Sequence, residues 1–411
     1  MFSSPAEKKL ILRILALGVA ILASAPAFAE MTRPERRVIV TDFGTLMNEI
    51  RSEALQAGIP AQVIDTTLAG IEPPEPDDRE PQPEFSETIW SYLDRAVSPA
   101  KIDHGKAQSR RHRTLLNRIE QETGVQKEVL LAIWAAESNY GVFRGSRNVF
   151  ETLVHRAFSG QRADLSRAEL IAAMRIVVAG GNPATMTSGA GGAMGHMQFL
   201  PSTYLAYAAD GDGDGDRNIW EDDPADALAS AASYLHALGW RRGLPWGMEV
   251  HLPEGFDWQL VGEYQTRPTQ FWQERGVKLK DGNPLPDLGE VALIAPAGAR
   301  GPVLAVTQNF AMLRIYNKSV SYALSVGHLA DRIGGGRGFR IGWPRGERAL
   351  TPMEQEEIQG ILAGLGYEPG PVDGRIGPAT IEAIQAWQAA NGLLPDGFAT
   401  AGLLTRLRAA E

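Results

Sequence analysis

The segment AIWAAESNYG (132–141) constrains the fold most, because it places one glutamate inside an apolar and aromatic run. The apolar side chains of Val129, Ile133 and Trp134 recur at helical spacing and predict the buried face of a helix that ends at a glycine. Glu137 follows Ile133 by four residues and Trp134 by three, so it falls on that same face. The sequence therefore predicts a helical core with a carboxylate built into it, although burying an uncompensated carboxylate is costly.

Glu137 is a candidate general acid. A carboxyl group held against aromatic and aliphatic side chains has its charged form disfavoured, which raises its pKa and lets it keep a proton near neutral pH. A glycosidic oxygen needs such a donor when its bond is broken. The alternative is a glutamate at a helix end that points to solvent or pairs with an arginine, and position alone leaves both interpretations open.

The N-terminus predicts a cleavable secretory signal peptide at residues 1–29. Lys8 and Lys9 precede an apolar run (10–23), and the small-residue cleavage motif Ala-Phe-Ala follows at 27–29. A membrane anchor is the alternative, but the run is short and an arginine interrupts it. The chain has no cysteine, which excludes a lipid anchor and disulfides. We expect a soluble periplasmic protein with no transmembrane anchor after cleavage.

Composition limits the classes of partner. The chain has 411 residues, enough for about two or three domains, and an apolar fraction of 44% suits a packed globular protein. The net charge is −9 at pH 7, and removal of the basic leader makes the protein more acidic. An acidic protein is a poor ligand for nucleic acid or for an anionic membrane surface, so we expect neither partner.

The pattern along the chain predicts an α+β fold that is mostly helical. Helical periodicity dominates 42–68 and 86–180, with a proline-rich acidic hinge at 72–84 between them. After a helix at 226–240 come short strand-like runs such as EVHL and EVALIAP, and then a final helix from about 306 to 333. We expect one catalytic domain over 30–333.

A small terminal unit is predicted after a linker. Glycine, arginine and proline crowd the linker at 334–349. Residues 350–411 then hold three helical patterns and two Asp-Gly turns, at 373–374 and 396–397, which predict a compact three-helix module.

Three motifs in order resemble the lytic murein transglycosylases of the membrane-bound lytic transglycosylase B family, in its soluble exported branch. They are ESNYG at Glu137, GAMGHMQFLPS about sixty residues later, and RIYNKSVSYA in the late helix. The resemblance covers nearly all of 42–333 and implies a lysozyme-like, mostly helical core that acts on peptidoglycan strands. Partner proteins of cell-wall synthesis are possible in such a family, but the sequence identifies none.

The resemblance also implies site residues. Glu137 matches the single catalytic acid, and matches to substrate-contacting positions are Arg162, Gln198, Tyr204, Asn317 and Tyr322. Two departures stand out. Gln161 takes the place of a second cleft arginine, and Gly189 that of a cleft serine, with Ser188 one position away.

The implied reaction needs one carboxyl group. Glu137 protonates the oxygen that leaves C1 of N-acetylmuramic acid, and its carboxylate then takes the proton of that sugar's C6 hydroxyl, which closes onto C1 as a 1,6-anhydro ring. Glu151, Asp164 and Glu169 are possible second carboxylates by type only. Sequence cannot give the carboxylate separation that would identify a hydrolase, so a hydrolytic muramidase and a catalytically silent wall-binding scaffold remain alternatives.

An alternating aspartate run predicts a structural calcium site. The pattern D-x-D-x-D-G-x5-E of an EF-hand loop runs from Asp210 to Glu221, and its acidic candidates are Asp210, Asp212, Asp214 and Asp216. A solvated acidic turn is the alternative. A second register begins at Asp212, and the closing ligand is either Glu221 or Asp226, of which the family resemblance favours Asp226. No organic cofactor is expected.

The terminal module resembles the common three-helix peptidoglycan-binding domain. Ile381, Ile384, Trp387 and Gln388 fit the helix of that motif, and the two Asp-Gly turns fit its loops. The apolar stripe by itself indicates only a packed helix. The resemblance implies attachment to the cell wall, which would raise the local enzyme concentration at an insoluble substrate.

Overall fold

The computed structural model describes residues 42–75, 87–160 and 162–410. The predicted signal peptide, most of the predicted hinge and Gln161 lie outside the described residues. Within the described ranges, no helix is both long and apolar enough to cross a bilayer.

Helices dominate these ranges, as the sequence predicts. The described residues form sixteen α-helices: α1 (Phe43–Gln56), α2 (Ala61–Leu68), α3 (Ile89–Ala96), α4 (Pro99–Arg111), α5 (Arg113–Thr123), α6 (Lys127–Ser138), α7 (Val149–Ser159), α8 (Ala163–Val178), α9 (Pro201–Tyr207), α10 (Ala225–Ala237), α11 (Thr269–Glu274), α12 (Gln308–Tyr316), α13 (Val320–Ile333), α14 (Pro352–Gly364), α15 (Pro378–Ala390) and α16 (Ala401–Arg408).

Helix α6, which carries the glutamate, is the central helix of the main core. Seven consecutive residues, Val129–Ala135, are buried, so the helix is enclosed on nearly all sides instead of on one face. It packs against α13, α4, α5 and α10. Its C-cap is Asn139, in the left-handed conformation that asparagine tolerates, and this places Glu137 in the last turn, at the edge of the core.

Two predicted helical stretches are interrupted. The pattern over 42–68 forms α1 and α2, separated by Gly58 and Pro60, because proline cannot supply an N–H to continue the first helix. The pattern over 306–333 forms α12 and α13. Asn317 between them is extended, and Ser319 caps α13 by accepting from the N–H of Tyr322. The single late helix expected from the sequence was therefore wrong in detail, and the break lies within the RIYNKSVSYA motif.

A small antiparallel sheet forms a second core beside the helices. Its strands have the order β4-β6-β7-β3-β5, and a separate pair joins β1 to β2. The bounds are β1 (Arg147–Asn148), β2 (Thr187–Ser188), β3 (Gly247–His251), β4 (Arg267–Pro268), β5 (Lys278–Leu279), β6 (Glu290–Ile294) and β7 (Val303–Val306). The sheet packs on fully buried Trp272 of α11. Both strand-like runs predicted from the sequence are strands.

The terminal module has its own core and docks on the sheet unit. Helices α14, α15 and α16 enclose a cluster that includes Ile384 and Trp387. Gln385, with 3% of its surface exposed, donates through Nε2 to the carbonyls of Trp258 (3.1 Å) and Val261 (3.0 Å). These bonds fix the module against the rest of the chain.

Several contacts hold the segment 334–349 against the helices and the sheet that precede it. Phe339 stacks on His328 with ring centroids 4.3 Å apart. The backbone N–H groups of Arg340 and Ile341 donate to the carboxylate of Glu249. Further on, Arg345 forms a two-point ion pair with Asp94 at 2.6 and 2.9 Å. This segment therefore lies along the surface as a strap, although it holds no helix or strand.

Candidate functional site

The carboxylate of Glu137 is held by a tyrosine from the late motif. Glu137 is half-buried at the end of α6, and the Tyr322 hydroxyl donates to its Oε1 at 2.6 Å. Tyr322 lies in the first turn of α13 with only 4% of its surface exposed. Burial, followed by the nearby charge of Glu137, holds the pKa of Tyr322 well above its usual value. The hydroxyl therefore stays protonated and remains a donor to the carboxylate.

Tyr316, which no sequence pattern marked as a site residue, connects this pair to the glycine-rich loop at 188–204. Its ring is nearly parallel to that of Tyr322, with centroids 6.4 Å apart, and its hydroxyl donates to the carbonyl of Met197 at 2.8 Å. Met197 directly precedes Gln198. The position of Tyr316, directly before Asn317 in the late motif, was the only signal that could have identified it.

Asn317 is half-buried where α12 ends. Its side-chain oxygen accepts from the Ser319 N–H at 3.0 Å and thereby shapes the turn into α13. The oxygen is engaged in the turn, and the amide nitrogen is left as a hydrogen-bond donor.

Two backbone carbonyls fix the side chain of Gln198, one from its own turn and one from the segment after α6. The residue adopts a left-handed conformation (φ 50°), and its Nε2 donates to the carbonyls of Gly195 (2.9 Å) and Arg144 (3.1 Å). The turn requires glycine at 195, because a Cβ there would lie 2.3 Å from the carbonyl oxygen of Ile219. Both donor positions of the amide are used, which leaves the side-chain oxygen to accept from a ligand.

Gly189, where the resemblance implies a cleft serine, lies beside the side chain of Gln198. A Cβ on Gly189 would lie 3.0 Å from Oε1 of Gln198, so a side chain here would press on that amide. Ser188 does not replace the serine, because it is fully buried and its hydroxyl donates to the hydroxyl of Thr152. The glycine therefore leaves Gln198 more room.

Arg162 and Tyr204 are placed by different elements, Arg162 at the start of α8 and Tyr204 on α9. Arg162 is exposed at the residue before α8. The guanidinium of Arg156 donates to the carbonyl of Ala190. Burial lowers the pKa of Arg156, and the nearby charge of Arg162 adds to that effect. Arg162 is therefore near the glycine-rich loop. The Tyr204 hydroxyl donates to the carbonyl of Arg217 at 2.8 Å, so its polar end serves the aspartate loop. Their proposed substrate contacts stay predictions.

Of the three possible second carboxylates, one has a structural role and two lie exposed at the starts of helices. Glu169 is 5% exposed and its carboxylate accepts from the N–H (2.8 Å) and hydroxyl (2.6 Å) of Ser202, in the first turn of α9. Glu151 and Asp164 are exposed in the first turns of α7 and α8, where carboxylates stabilise a helix. This arrangement is compatible with a site that uses one acid.

A buried histidine joins the acid-bearing helix to the aspartate loop. His196 is 2% exposed, and its Nδ1 accepts from the indole N–H of Trp134 at 3.0 Å. The ring proton is therefore on Nε2, which donates to the carbonyl of Glu221 at 2.6 Å. Ser138 completes the link by donating to the His196 carbonyl at 2.7 Å. Burial lowers the pKa of His196, which favours the neutral ring that this network needs.

The aspartate run brings three carboxylates together. Oxygen atoms of Asp210, Asp212 and Asp214 lie within 4.8 Å of one another, and all three residues are exposed. The carboxylate of Asp210 accepts from the N–H groups of Gly213 and Gly215, which wraps the loop around it. This geometry matches the register that begins at Asp210. The cluster consists of hard oxygen donors, the type that calcium prefers.

Asp216 lies outside the group formed by Asp210, Asp212 and Asp214. The two candidates for the last ligand of the loop, Asp226 and Glu221, differ in burial. Asp226 is 2% exposed and accepts from the N–H groups of Gly211 (2.6 Å) and Asn218 (2.5 Å), so it ties both ends of the loop to α10. Glu221 is exposed. Partial burial and the charges of the nearby aspartates, among them Asp216, raise its pKa. The choice between Asp226 and Glu221 stays open.

Two family models match the chain. Residues 42–331 match the model described as "Transglycosylase SLT domain", and residues 354–407 match "Putative peptidoglycan binding domain". The first match covers well over half of the chain and includes Glu137, Gln198, Asn317 and Tyr322.

Individual relatives agree with these models. The chain is 28% identical over 250 residues to the membrane-bound lytic murein transglycosylase B of Escherichia coli (strain K12), covering 59% of this chain and 66% of that relative. It is 39% identical to SltB3 from Pseudomonas aeruginosa, solved in complex with NAG-anhNAM-pentapeptide, with a TM-score of 0.83 over 89% of this chain and 99% of that one. The calcium complex of Slt35 from Escherichia coli shares the fold, at 22% identity and a TM-score of 0.60 over 70% of this chain and 92% of that one.

Proposed function

The chain belongs to the Transglycosylase SLT domain family of lytic transglycosylases, and on that premise we propose that it cleaves the β-1,4 bond between N-acetylmuramic acid and N-acetylglucosamine in peptidoglycan. The observation that carries the proposal is the 2.6 Å hydrogen bond from a 4% exposed tyrosine, Tyr322, to the half-buried carboxyl group of Glu137. It fixes one ionisable, partly exposed group at the edge of the core.

The reaction needs two proton transfers through Glu137. In the first, the carboxyl group donates its proton to the glycosidic oxygen, and the bond from that oxygen to C1 of N-acetylmuramic acid breaks. In the second, the carboxylate accepts the proton of the C6 hydroxyl while that oxygen bonds to C1. The result is a 1,6-anhydro end, and the glutamate is again protonated, so no water is consumed. The acetamido group can assist by bridging to C1 between the two transfers.

Neighbouring groups support these steps by position. The Tyr322 hydroxyl favours the carboxylate form that exists between the two transfers. The oxygen of Gln198 and the amide nitrogen of Asn317 offer an acceptor and a donor for the acetamido and hydroxyl groups of the sugars. The chain's three other acidic candidates are exposed or engaged elsewhere, which favours this one-acid reaction over a two-carboxylate hydrolysis.

Mass spectrometry of digested peptidoglycan tests the reaction. We expect products with anhydro ends, which are lighter by one water than the reducing ends that a hydrolytic muramidase leaves. Glu137→Gln keeps the size of the side chain but removes the acid, and it should lower the rate by about 10²- to 10⁴-fold, the usual contribution of general acid catalysis.

A matched control separates chemistry from folding. Glu122 is exposed on α5, and Glu122→Gln should retain the wild-type rate. Reducing ends in the wild-type digest would establish the hydrolytic alternative instead. Equal rates for wild type and Glu137→Gln would rule out both enzymatic reactions at this site and leave the wall-binding scaffold.

We further propose that the aspartate loop binds calcium as a structural ion. Asp210, Asp212 and Asp214 would supply carboxylate oxygens, joined by Asp216 and by either Asp226 or Glu221. The bound ion would offset the repulsion among the aspartates and hold the loop closed. It takes no part in the proton transfers.

Localisation and wall binding complete the proposal. The predicted signal peptide, with cleavage after Ala29, would deliver the protein to the periplasm, where its substrate lies. The terminal module, proposed as residues 350–411, would hold the enzyme on peptidoglycan. Its match to a peptidoglycan-binding family model supports this role.

A further inference from the structure

A cavity of about 220 Å³ lies beside the acid-bearing helix. Its walls come from α3, α4, α6 and α13. Ala136, which directly precedes Glu137, forms part of the wall, and so do Tyr92 and Ser325. Ser325 lies one turn beyond Tyr322 and donates to its carbonyl. The cavity therefore adjoins the proposed catalytic pair.

Two cationic side chains, Arg95 and Lys101, line this cavity, and they differ in ion pairing. Arg95 is already neutralised by a two-point ion pair with Glu87, at 2.6 and 2.9 Å. Lys101 is half-buried, and within the described residues no carboxylate forms an ion pair with it. Burial lowers the pKa of its ammonium group, and the charge of Arg95 adds to this effect. A partly desolvated cation of this kind gains free energy when an anion joins it.

The other walls make the cavity selective for an anion attached to an organic group. Val326, Leu329 and Ala132 line it with apolar side chains that are almost fully buried, so a hydrated inorganic ion would find few polar partners there. Ligand pockets for drug-sized molecules have volumes of about 300–1,000 Å³. The smaller cavity suits a group the size of one acidic amino acid.

We propose that this cavity is a subsite for a carboxylate of the peptide stem that N-acetylmuramic acid carries, with Lys101 as the residue that binds it. The inference rests on the proposed function, because it takes the muramyl sugar to lie at Glu137. The stem begins on that same sugar. One of its carboxylates can therefore enter the cavity next to Ala136 while the glycosidic bond lies at the acid.

Lys101→Met tests the subsite, because methionine keeps much of the side-chain bulk and removes the charge. The substrates are peptide-bearing glycan strands and the same strands stripped of peptide by an amidase. On peptide-bearing strands we expect kcat/KM to fall about tenfold, mainly through a higher KM, which is the scale of one charge-assisted contact. On stripped strands the variant and the wild type should be equal.

Two further variants control the result. Lys106→Met, on the same helix and outside the cavity lining, should match the wild type on both substrates. Lys101→Arg should restore most of the loss, because it restores the charge. An equal loss on both substrates, or no loss on either, would overturn the inference. A wild-type protein that is inactive on both would instead overturn the proposed function, and the inference with it.

Discussion

Tyr322 determines how the carboxyl group of Glu137 is presented to a substrate. The hydroxyl donates at 2.6 Å from a site that is almost fully buried, so solvent does not compete for the bond. A hydrogen bond to a charged group contributes about 1.5–3 kcal/mol. This hydrogen bond therefore stabilises the carboxylate and also fixes its geometry.

Removal of this hydroxyl gives a prediction at the scale of one residue. Tyr322→Phe should lower kcat by about 10- to 100-fold, since 1.4 kcal/mol corresponds to a factor of ten. The carboxylate form loses the donor that favours it, so the alkaline limb of the pH–rate profile should move to higher pH. A pH–rate profile of both proteins measures the two effects. A loss of rate with no shift of that limb would contradict a direct action on the acid.

Sequence reasoning identified the acid better than its surroundings. Periodicity placed Glu137 on a buried face, and it does lie in a helix that the core encloses on nearly all sides. Periodicity could not show that α13 brings Tyr322 to it, because the two residues are 185 positions apart in the chain. The Tyr316–Met197 bond depends on the same long-range packing. The resemblance supplied Tyr322 where the pattern alone favoured an ordinary half-buried aromatic.

At the scale of elements, the aspartate loop lies between two parts of the site. It follows the helix that begins after Gln198, and it ends at α10, where Asp226 anchors both of its ends. Through the Glu221 carbonyl it also contacts His196 and hence Trp134 of the acid-bearing helix. The loop therefore stabilises the position of that helix.

Calcium should stabilise the folded protein through this loop. At a concentration one hundred times the dissociation constant, a ligand that binds only the folded state contributes about 2.7 kcal/mol. That should raise the melting temperature by a few degrees, and Asp214→Ala should abolish the increase. Differential scanning calorimetry with calcium or a chelator measures it. Asp103→Ala, at an exposed site on α4, is the control, and a wild type that binds no calcium by titration calorimetry would defeat the prediction.

Element boundaries show where sequence patterns fail. The stretch 306–333 keeps a helical pattern through Asn317, yet the chain breaks there, because the side chains of Asn317 and Ser319 accept from backbone N–H groups of the turn. The EF-hand pattern was more informative. Its spacing alone grouped Asp210, Asp212 and Asp214. It could not choose the closing ligand, because that choice depends on how α10 packs against the loop.

At the scale of the whole molecule, the division into a helical part and a three-helix module was accessible from the sequence, but the docking between them was not. No local pattern marks Gln385 as a contact to Trp258 and Val261, since its helix has an ordinary apolar stripe. The expected linker at 334–349 is likewise held by Glu249 and Asp94. These contacts join distant parts of the chain and leave no periodic signal.

The hydrogen bonds of Gln385 that dock the module predict how fast a protease cleaves the strap at 334–349. Gln385→Leu removes the donor to two carbonyls that it satisfies, and a buried acceptor left without a partner costs about 1–3 kcal/mol. Limited proteolysis within 334–349 should therefore be faster than in the wild type. Ala389→Gln, at an exposed position on the same helix, should be cleaved at the wild-type rate. Equal cleavage of all three proteins would show that the Gln385 contacts do not hold the module.

The bonds from Gln385 also have a geometric consequence. A binding module on a flexible linker could bind peptidoglycan at any point within reach, and cleavage would then occur at random positions along a strand. Here the module is fixed to the sheet unit, so the span from its surface to Glu137 is a constant of the molecule. If the module binds the same strand that is cut, the length of the released fragments would depend on that fixed distance.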